Sequence, residues 1–315
     1  MTAAQAPAPD ATAIELASTS RWYGNVVAVN DISFRLDRGI TGLLGPNGAG
    51  KSTILHMLAG FLAPSSGSVS VAGGPARGRT EMYRSVGLVP EREAVYPFLS
   101  AREFVRANAQ LQGIGPDRLE AAVAAAIARV ELEDAQDRPI GTYSKGMRQR
   151  AKVAAALVHD PPILLLDEPF NGMDPRQRLH MMDLLRAMAD EGRTILFSSH
   201  ILEEVERLAE QVLVIVAGRL AASGDFREIR RLMTDRPHTF TVRSSDDRAL
   251  GAALLAEPSI AGVSLDDGKL TVRSSDFGAF SRAIGGVARR ARISLYELLP
   301  TDESLESVFS YLVAR

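Results

Sequence analysis

The sequence predicts an α/β core interrupted by an inserted helical segment and followed by a smaller α+β domain. Three observations predict it. Short apolar runs alternate with longer helix-forming stretches from about residue 13 to 225, no convincing strand occurs at about 91–156, and the character of the chain changes after Gly224. A length of 315 residues suits about two domains.

Residues 1–12 are rich in Ala and Pro and lack both a basic start and an apolar core, so a disordered tail is expected there and not a signal peptide. Gly39–Leu44 reads as a buried strand, with a helix over Lys51–Phe61 behind it. Ile163–Leu166, Thr194–Phe197 and Val212–Val216 are further apolar runs of strand length. Strands separated by helices predict a largely parallel sheet covered on its faces. Ala101–Gln112 and Leu119–Val130 supply helices for the inserted subdomain at 91–156. Residues 226–237 are basic and end in Pro237, which suits a short helix and linker.

From 238 to 315 the expected order is strand His238–Arg243, helix Asp247–Glu257, strand Ile260–Leu265, a turn at 266–268, strand Lys269–Arg273, helix Phe277–Arg290, strand Ile293–Leu299 and helix Glu303–Leu312. This is the βαββαβ order of a ferredoxin-like domain with one extra helix. The string Thr-Val-Arg-Ser-Ser-Asp occurs at 241–246 and at 271–276. It is either a trace of an internal repeat or a coincidence in a pseudo-symmetric domain.

Composition narrows the chemistry. There is no cysteine, which removes disulfides, thiolate metal sites and a cysteine nucleophile. A formal net charge of −2 gives no general nucleic-acid footprint. No apolar run approaches the ~20 residues that cross a bilayer, so a membrane role requires a partner.

Residues 45–53 read Gly-Pro-Asn-Gly-Ala-Gly-Lys-Ser-Thr, the pattern GxxxxGK[ST] between an expected strand and an expected helix. Its glycines, including Gly48 and Gly50, let the backbone wrap closely around phosphate oxygens, and main-chain N–H groups at the helix start supply positive potential. Asn47 belongs to the same loop. Lys51 reaches the β- and γ-phosphates, Ser52 can hold Mg²⁺, and Thr53 can add a hydrogen bond to phosphate. The sequence thus implies ATP and Mg²⁺ as ligands.

The run Ile163–Leu166 ends in Asp167 and Glu168. The carboxyl end of a strand is where α/β sheets bind ligands. Asp167 is placed to position Mg²⁺ and Glu168 to orient or deprotonate the attacking water. Two acids at a strand end are commonly only solvated, and it is the phosphate loop upstream that gives them this meaning.

A third motif narrows the class. Tyr143-Ser144-Lys145-Gly146-Met147 resembles the signature motif of ABC ATPases, in a form similar to that of export-type subunits with small C-terminal domains. The other landmarks follow in the family's order. Tyr23 is similar to the aromatic residue that stacks on adenine, Asn171–Asp174 to the loop after the acidic strand, and Ser198-Ser199-His200 to the segment carrying the switch histidine. The resemblance covers about Ile14–Ala222. It implies that Ser144 and Gly146 cover the γ-phosphate held by the other subunit of a dimer, that Asp174 belongs to the nucleotide-binding residues, and that His200 contacts the γ-phosphate and the water. Trp22 is expected to pack, and His56, His159, His180 and His238 share no spacing that suggests a metal.

One position departs from the family pattern. Many members carry glutamine where Val-Gly-Leu-Val-Pro-Glu places Glu91. A carboxylate is a stronger ligand for a hard cation, so Glu91 is expected to keep a metal-sensing role. Next to it, Tyr96-Pro97-Phe98-Leu99 is either subdomain core or the groove that receives a helix of a membrane subunit.

The resemblance therefore implies the ATP-hydrolysing subunit of an ABC transporter, most naturally for export. It would act as a homodimer or pseudo-dimer at the cytoplasmic face of the membrane, bound to a separate membrane-spanning permease. The tail at Pro300–Phe309 is similar to that of export-type subunits. The competing expectations are a soluble ABC-type ATPase not coupled to transport, and a nucleotide switch without useful hydrolysis. Intact Lys51, Asp167, Glu168 and His200 argue against the switch.

Overall fold

The computed structural model describes residues 13–225, 227–229, 237–266, 269–301 and 309. The expected tail at 1–12, most of the linker at 226–237, the centre of the turn at 266–268 and the helix Glu303–Leu312, Phe309 excepted, lie outside the described residues. The chain divides into two compact units, Met1–Ser223 and Gly224–Arg315.

In the first unit, strands β1 (Ile14–Tyr23), β2 (Val26–Leu36), β4 (Ser66–Val71) and β5 (Gly74–Pro75) form a sheet in the order β2-β1-β4-β5, with antiparallel neighbours. The expectation of a largely parallel sheet therefore needs correction: a second, antiparallel sheet is built from strands on either side of β3 in the chain. Its signal is alternation, with Ile32, Phe34 and Leu36 buried and the residues between them exposed, as a strand with one solvated face requires. A reading keyed to continuous apolar runs passes over it.

The second sheet contains β3 (Gly39–Leu44), β6 (Val86–Val89), β7 (Ile163–Asp167), β8 (Thr194–Ser199), β9 (Gln211–Val216) and β10 (Arg219–Gly224), in the order β10-β9-β3-β8-β7-β6. The pairs β3–β8, β3–β9, β6–β7 and β7–β8 are parallel. Strands buried on both faces are uniformly apolar, as in Ile-Leu-Leu-Leu of β7. Helix α1 (Lys51–Leu58) lies between the two sheets. One core cluster joins Ile14, Leu16 and Ile32 to Ile54, Leu55 and Leu58 of α1 and to Leu165 and Leu196 of the parallel sheet. Each such fully buried Leu or Ile contributes roughly 2 kcal/mol. The helix ends three residues earlier than expected because Gly60 takes φ +75, where an added Cβ would lie 2.4 Å from the Ala76 carbonyl oxygen.

After α2 (Met82–Ser85) and β6, the chain forms α3 (Ala101–Leu111), α4 (Pro116–Arg129) and α5 (Lys145–Leu157) before returning as β7. A capping box starts α3: Ser100 accepts from the Glu103 N–H while the Glu103 carboxylate accepts from the Ser100 N–H. Pro116 opens α4 in its first turn, where a missing N–H costs nothing. Helices α6 (Pro175–Asp190) and α7 (Leu202–Leu208) precede and follow β8.

The second unit runs β11 (His238–Ser244), α8 (Asp247–Leu254), β12 (Ile260–Asp266), β13 (Lys269–Ser274), α9 (Phe277–Ala291) and β14 (Leu295–Pro300). Its sheet order is β12-β13-β11-β14, all antiparallel. Phe240, Val242, Leu270 and Val272 of the sheet meet Leu250, Leu254, Phe280 and Ile284 of the helices in one core. The repeated hexapeptide has a structural use: both copies end a strand and supply the next helix's N-cap, Asp246 accepting from the Ala249 N–H and Asp276 from the Ala279 N–H.

Candidate functional site

The parallel register sets the site. Leu43 of β3 pairs with Ser198 of β8, and Ser198 pairs with Asp167 of β7, so three adjacent strands end at the same level. The loop that leaves β3 enters α1 at Lys51. Gly50 caps that helix in the left-handed region at φ +105, and a Cβ there would lie 2.3 Å from the Ala28 carbonyl oxygen. Gly48 also has positive φ but faces open space, while Asn47 is exposed. Ser52 and Thr53 occupy the first turn of α1 and are partly buried.

The Lys51 ammonium is nearly buried and donates to the Gly45 carbonyl at 2.7 Å and the Pro46 carbonyl at 3.3 Å. Burial lowers its pKa, against the opposing pull of Glu168, Asp167 and Glu91. Those three carboxylates are therefore the charges that Lys51 faces.

Asp167 and Glu168 are both buried. The Ser198 hydroxyl donates to Asp167 Oδ1 at 2.6 Å and accepts from the Glu168 N–H at 2.9 Å. One side chain thus fixes the carboxylate of the first acid and the backbone of the second. Glu168 sits at φ +50, a conformation that costs a non-glycine residue on the order of 1 kcal/mol and that turns its side chain out of the strand pleat. Its Oε2 lies 2.9 Å from His200 Nδ1. Behind His200, Ser199 donates to Glu204 at 2.7 Å, and Glu204 pairs with Arg178 of α6 at 3.3 Å. Burial raises the Glu204 pKa, with Ser199 and Arg178 pulling it back.

Ser144 is the exposed N-cap of α5, its Oγ accepting from the Met147 N–H. That contact uses a lone pair, so the hydroxyl proton stays available for an anion. Gly146 is buried, and a Cβ there would meet the Gln177 side-chain amide of α6, with Oε1 2.1 Å away. Asp174 caps α6 by accepting from the Gln177 N–H at 2.9 Å. Tyr23 is exposed with the Arg21 guanidinium 4.7 Å over its ring, and Trp22, expected to pack, is exposed as well. The structure therefore gathers Lys51, Asp167, Glu168 and His200. Among the described residues no hydrogen bond or ion pair links Tyr23, Ser144 or Gly146 to that group. Nor do any three His, Cys, Asp or Glu side chains among them form a metal-holding set.

Comparison with known proteins decides the family. A family model described as ABC transporter matches residues 29–171. The Nod factor export ATP-binding protein I of Burkholderia orbicola (strain AU 1054) is 39% identical over 213 residues, which is 67% of this chain and 70% of that protein. The chain belongs to the ABC transporter ATP-binding family. An ABC transporter ATP-binding protein of Bacillus subtilis (strain 168) is 33% identical over 231 residues, 73% of this chain and 77% of its own. A solved ATP-binding subunit of an ABC transporter superposes with a TM-score of 0.65 at 30% identity, covering 70% of this chain and 92% of that one.

As a member of this ABC family the chain binds and hydrolyses ATP to drive transport. The motif reading missed two residues that organise the ABC site. Ser198 was visible only as a neighbour of the histidine, and Glu204 is one acid in the Glu-Glu pair of α7. The available signal was a serine ending an apolar strand, where a hydroxyl at the carboxyl edge of the sheet has no apolar use.

Proposed function

We propose that this subunit powers export through a separate membrane-spanning permease, as a dimer that buries two ATP molecules between its copies at the cytoplasmic face of the membrane. The observation that carries the catalytic part is the Ser198–Asp167–Glu168–His200 cluster beside Lys51. Lys51 and the N–H groups of the loop hold the β- and γ-phosphates. Glu168 accepts the proton of the attacking water, and His200 holds the Glu168 carboxylate in place and can contact the γ-phosphate. Tyr23 stacks on the base. Ser144 and the first turn of α5 cap the nucleotide of the opposite copy, with Asp174 at the same junction.

Asp167 and Glu91, which both act on the Lys51 charge, and the Ser52 hydroxyl are oxygen donors of the kind Mg²⁺ takes, and phosphate oxygens would complete its shell. When bound, Mg²⁺ would neutralise charge on the phosphates. The export direction rests on the Burkholderia relative's name and on similarity of the C-terminal tail. A permease is favoured by Tyr96 and Phe98, which are 58% and 76% exposed and whose tilted rings have centroids 5.9 Å apart. Exposed aromatics in a turn fit a docking surface better than subdomain core. No helix among the described residues is long and apolar enough to cross a membrane. For residues 238–315, after a linker at 226–237, the sheet order β14-β11-β13-β12 supports a ferredoxin-like domain.

Two measurements test this. Lys51→Ala should lose nucleotide affinity and turnover, and full turnover would refute the site. Purification from membranes should recover a polytopic protein with the chain; recovery as a soluble ATPase alone would favour the reading without transport.

A further inference from the structure

Helix α5 carries a buried lysine that the ATPase mechanism leaves unused. Lys152 is 5% exposed and sits in the otherwise apolar stretch Ala151–Leu157. Its Nζ lies 2.6 Å from the Pro90 carbonyl oxygen, 3.0 Å from that of Arg92 and 3.4 Å from that of Glu91. An ammonium has three N–H donors, and three consecutive carbonyls of the loop after β6 receive them. One helical turn earlier on the same face, Arg148 Nε meets Glu93 Oε1 at 3.2 Å and its guanidinium also donates to the Tyr143 carbonyl at 2.6 Å. Residues 90–93 are thus gripped twice from α5.

A lysine that only filled space would not be kept charged in an apolar helix face, because an unpaired buried ammonium is costly. Burial lowers its pKa to about 8, while Glu93, Asp167 and Glu91 pull it back up. The two ends of this contact lie at functional points. Val89 of β6 pairs with Leu166, so the gripped loop starts beside Asp167, and Ser144 caps the same helix that bears Lys152.

We propose that Lys152 is a positioning residue that locks the Glu91 loop to the helix carrying Ser144, so that capping the opposite copy's nucleotide and placing the Glu91 carboxylate are one mechanical event. This rests on the dimeric, Mg²⁺-dependent ATPase reading above. The Lys152 ammonium is taken up by the three carbonyls. Its loss should leave ATP binding by the Lys51 loop intact while loosening Glu91.

The test uses the full chain and three variants. Lys152→Met keeps length but donates nothing, Lys152→Arg restores a charged donor, and Arg148→Met removes only the second grip. Expected for Lys152→Met are an ATP affinity close to wild type, a kcat lower by about tenfold or more, and a severalfold rise in the Mg²⁺ concentration for half-maximal rate. Lys152→Arg should recover part of both losses. Hydrogen exchange of peptides spanning 86–95 should accelerate in Lys152→Met while those spanning 163–168 stay protected. A folded Lys152→Met with wild-type kcat and Mg²⁺ dependence would overturn the proposal. If that variant does not fold, Arg148→Met decides: a raised Mg²⁺ requirement supports the proposal and an unchanged one overturns it. A wild-type chain without ATPase activity would instead defeat the underlying functional reading.

Discussion

His200 Nδ1 stands 2.9 Å from Glu168 Oε2, pairing a half-exposed ring with a carboxylate whose side chain is only 10% exposed. The acid is fixed from both sides, by His200 at its carboxylate and by Ser198 at its N–H. Glu168→Gln keeps the shape and loses the base. It should bind ATP, hydrolyse it at least about a hundredfold more slowly, and accumulate as a closed dimer. A size-exclusion profile showing only monomer with ATP would contradict the dimer.

Ser198→Ala removes the hydroxyl that joins Asp167 to Glu168. Two buried groups lose a partner, at about 1–3 kcal/mol each. The expected result is a kcat lower by about tenfold to a hundredfold, with a melting temperature lowered by a few degrees. Steady-state kinetics and a thermal melt on one preparation measure both, and wild-type kcat would show that Ser198 does not position the acids.

Glu91→Gln exchanges a carboxylate for an amide on a loop held through its backbone by Lys152. Because the grip is on carbonyls, the loop keeps its place in this variant. Turnover should stay within about tenfold of wild type, and a complete loss would make Glu91 a base and not a metal sensor.

His159 gives a pH dependence of stability. Its Nε2 donates to the Val86 carbonyl at 3.2 Å, and its Nδ1 is buried without a partner. Burial therefore holds the ring below its ordinary pKa of 6.5, with Val86 and Asp160 pulling weakly upward. The unfolded chain takes up its proton near pH 6.5 and the folded chain only at lower pH. This contribution is constant above 6.5 and is lost as pH falls from 6.5 through the folded value. His159→Gln keeps a donor for Val86 and should abolish that part of the acid slope. Between pH 8 and pH 5.5 the urea midpoint should fall less in the variant than in the wild type; equal falls would remove His159 as the cause.

Much of this protein was readable from order along the chain. Gly45–Thr53 names a phosphate loop because backbone freedom at Gly48 and Gly50 is a property of those residues themselves, and the apolar run ending in Asp167-Glu168 names a strand end by the same local logic. The alternation at Ile32, Phe34 and Leu36 of β2 is equally local, but it forms no continuous apolar run. What the tertiary structure alone decided is adjacency. The strand order β3-β8-β7 places Ser198 between Lys51's loop and the two acids, and the packing of α5 brings Lys152 to carbonyls 60 to 62 residues away. Backbone carbonyls carry no residue identity, so no sequence pattern marks them as partners. Only the folded chain shows which lysine they hold.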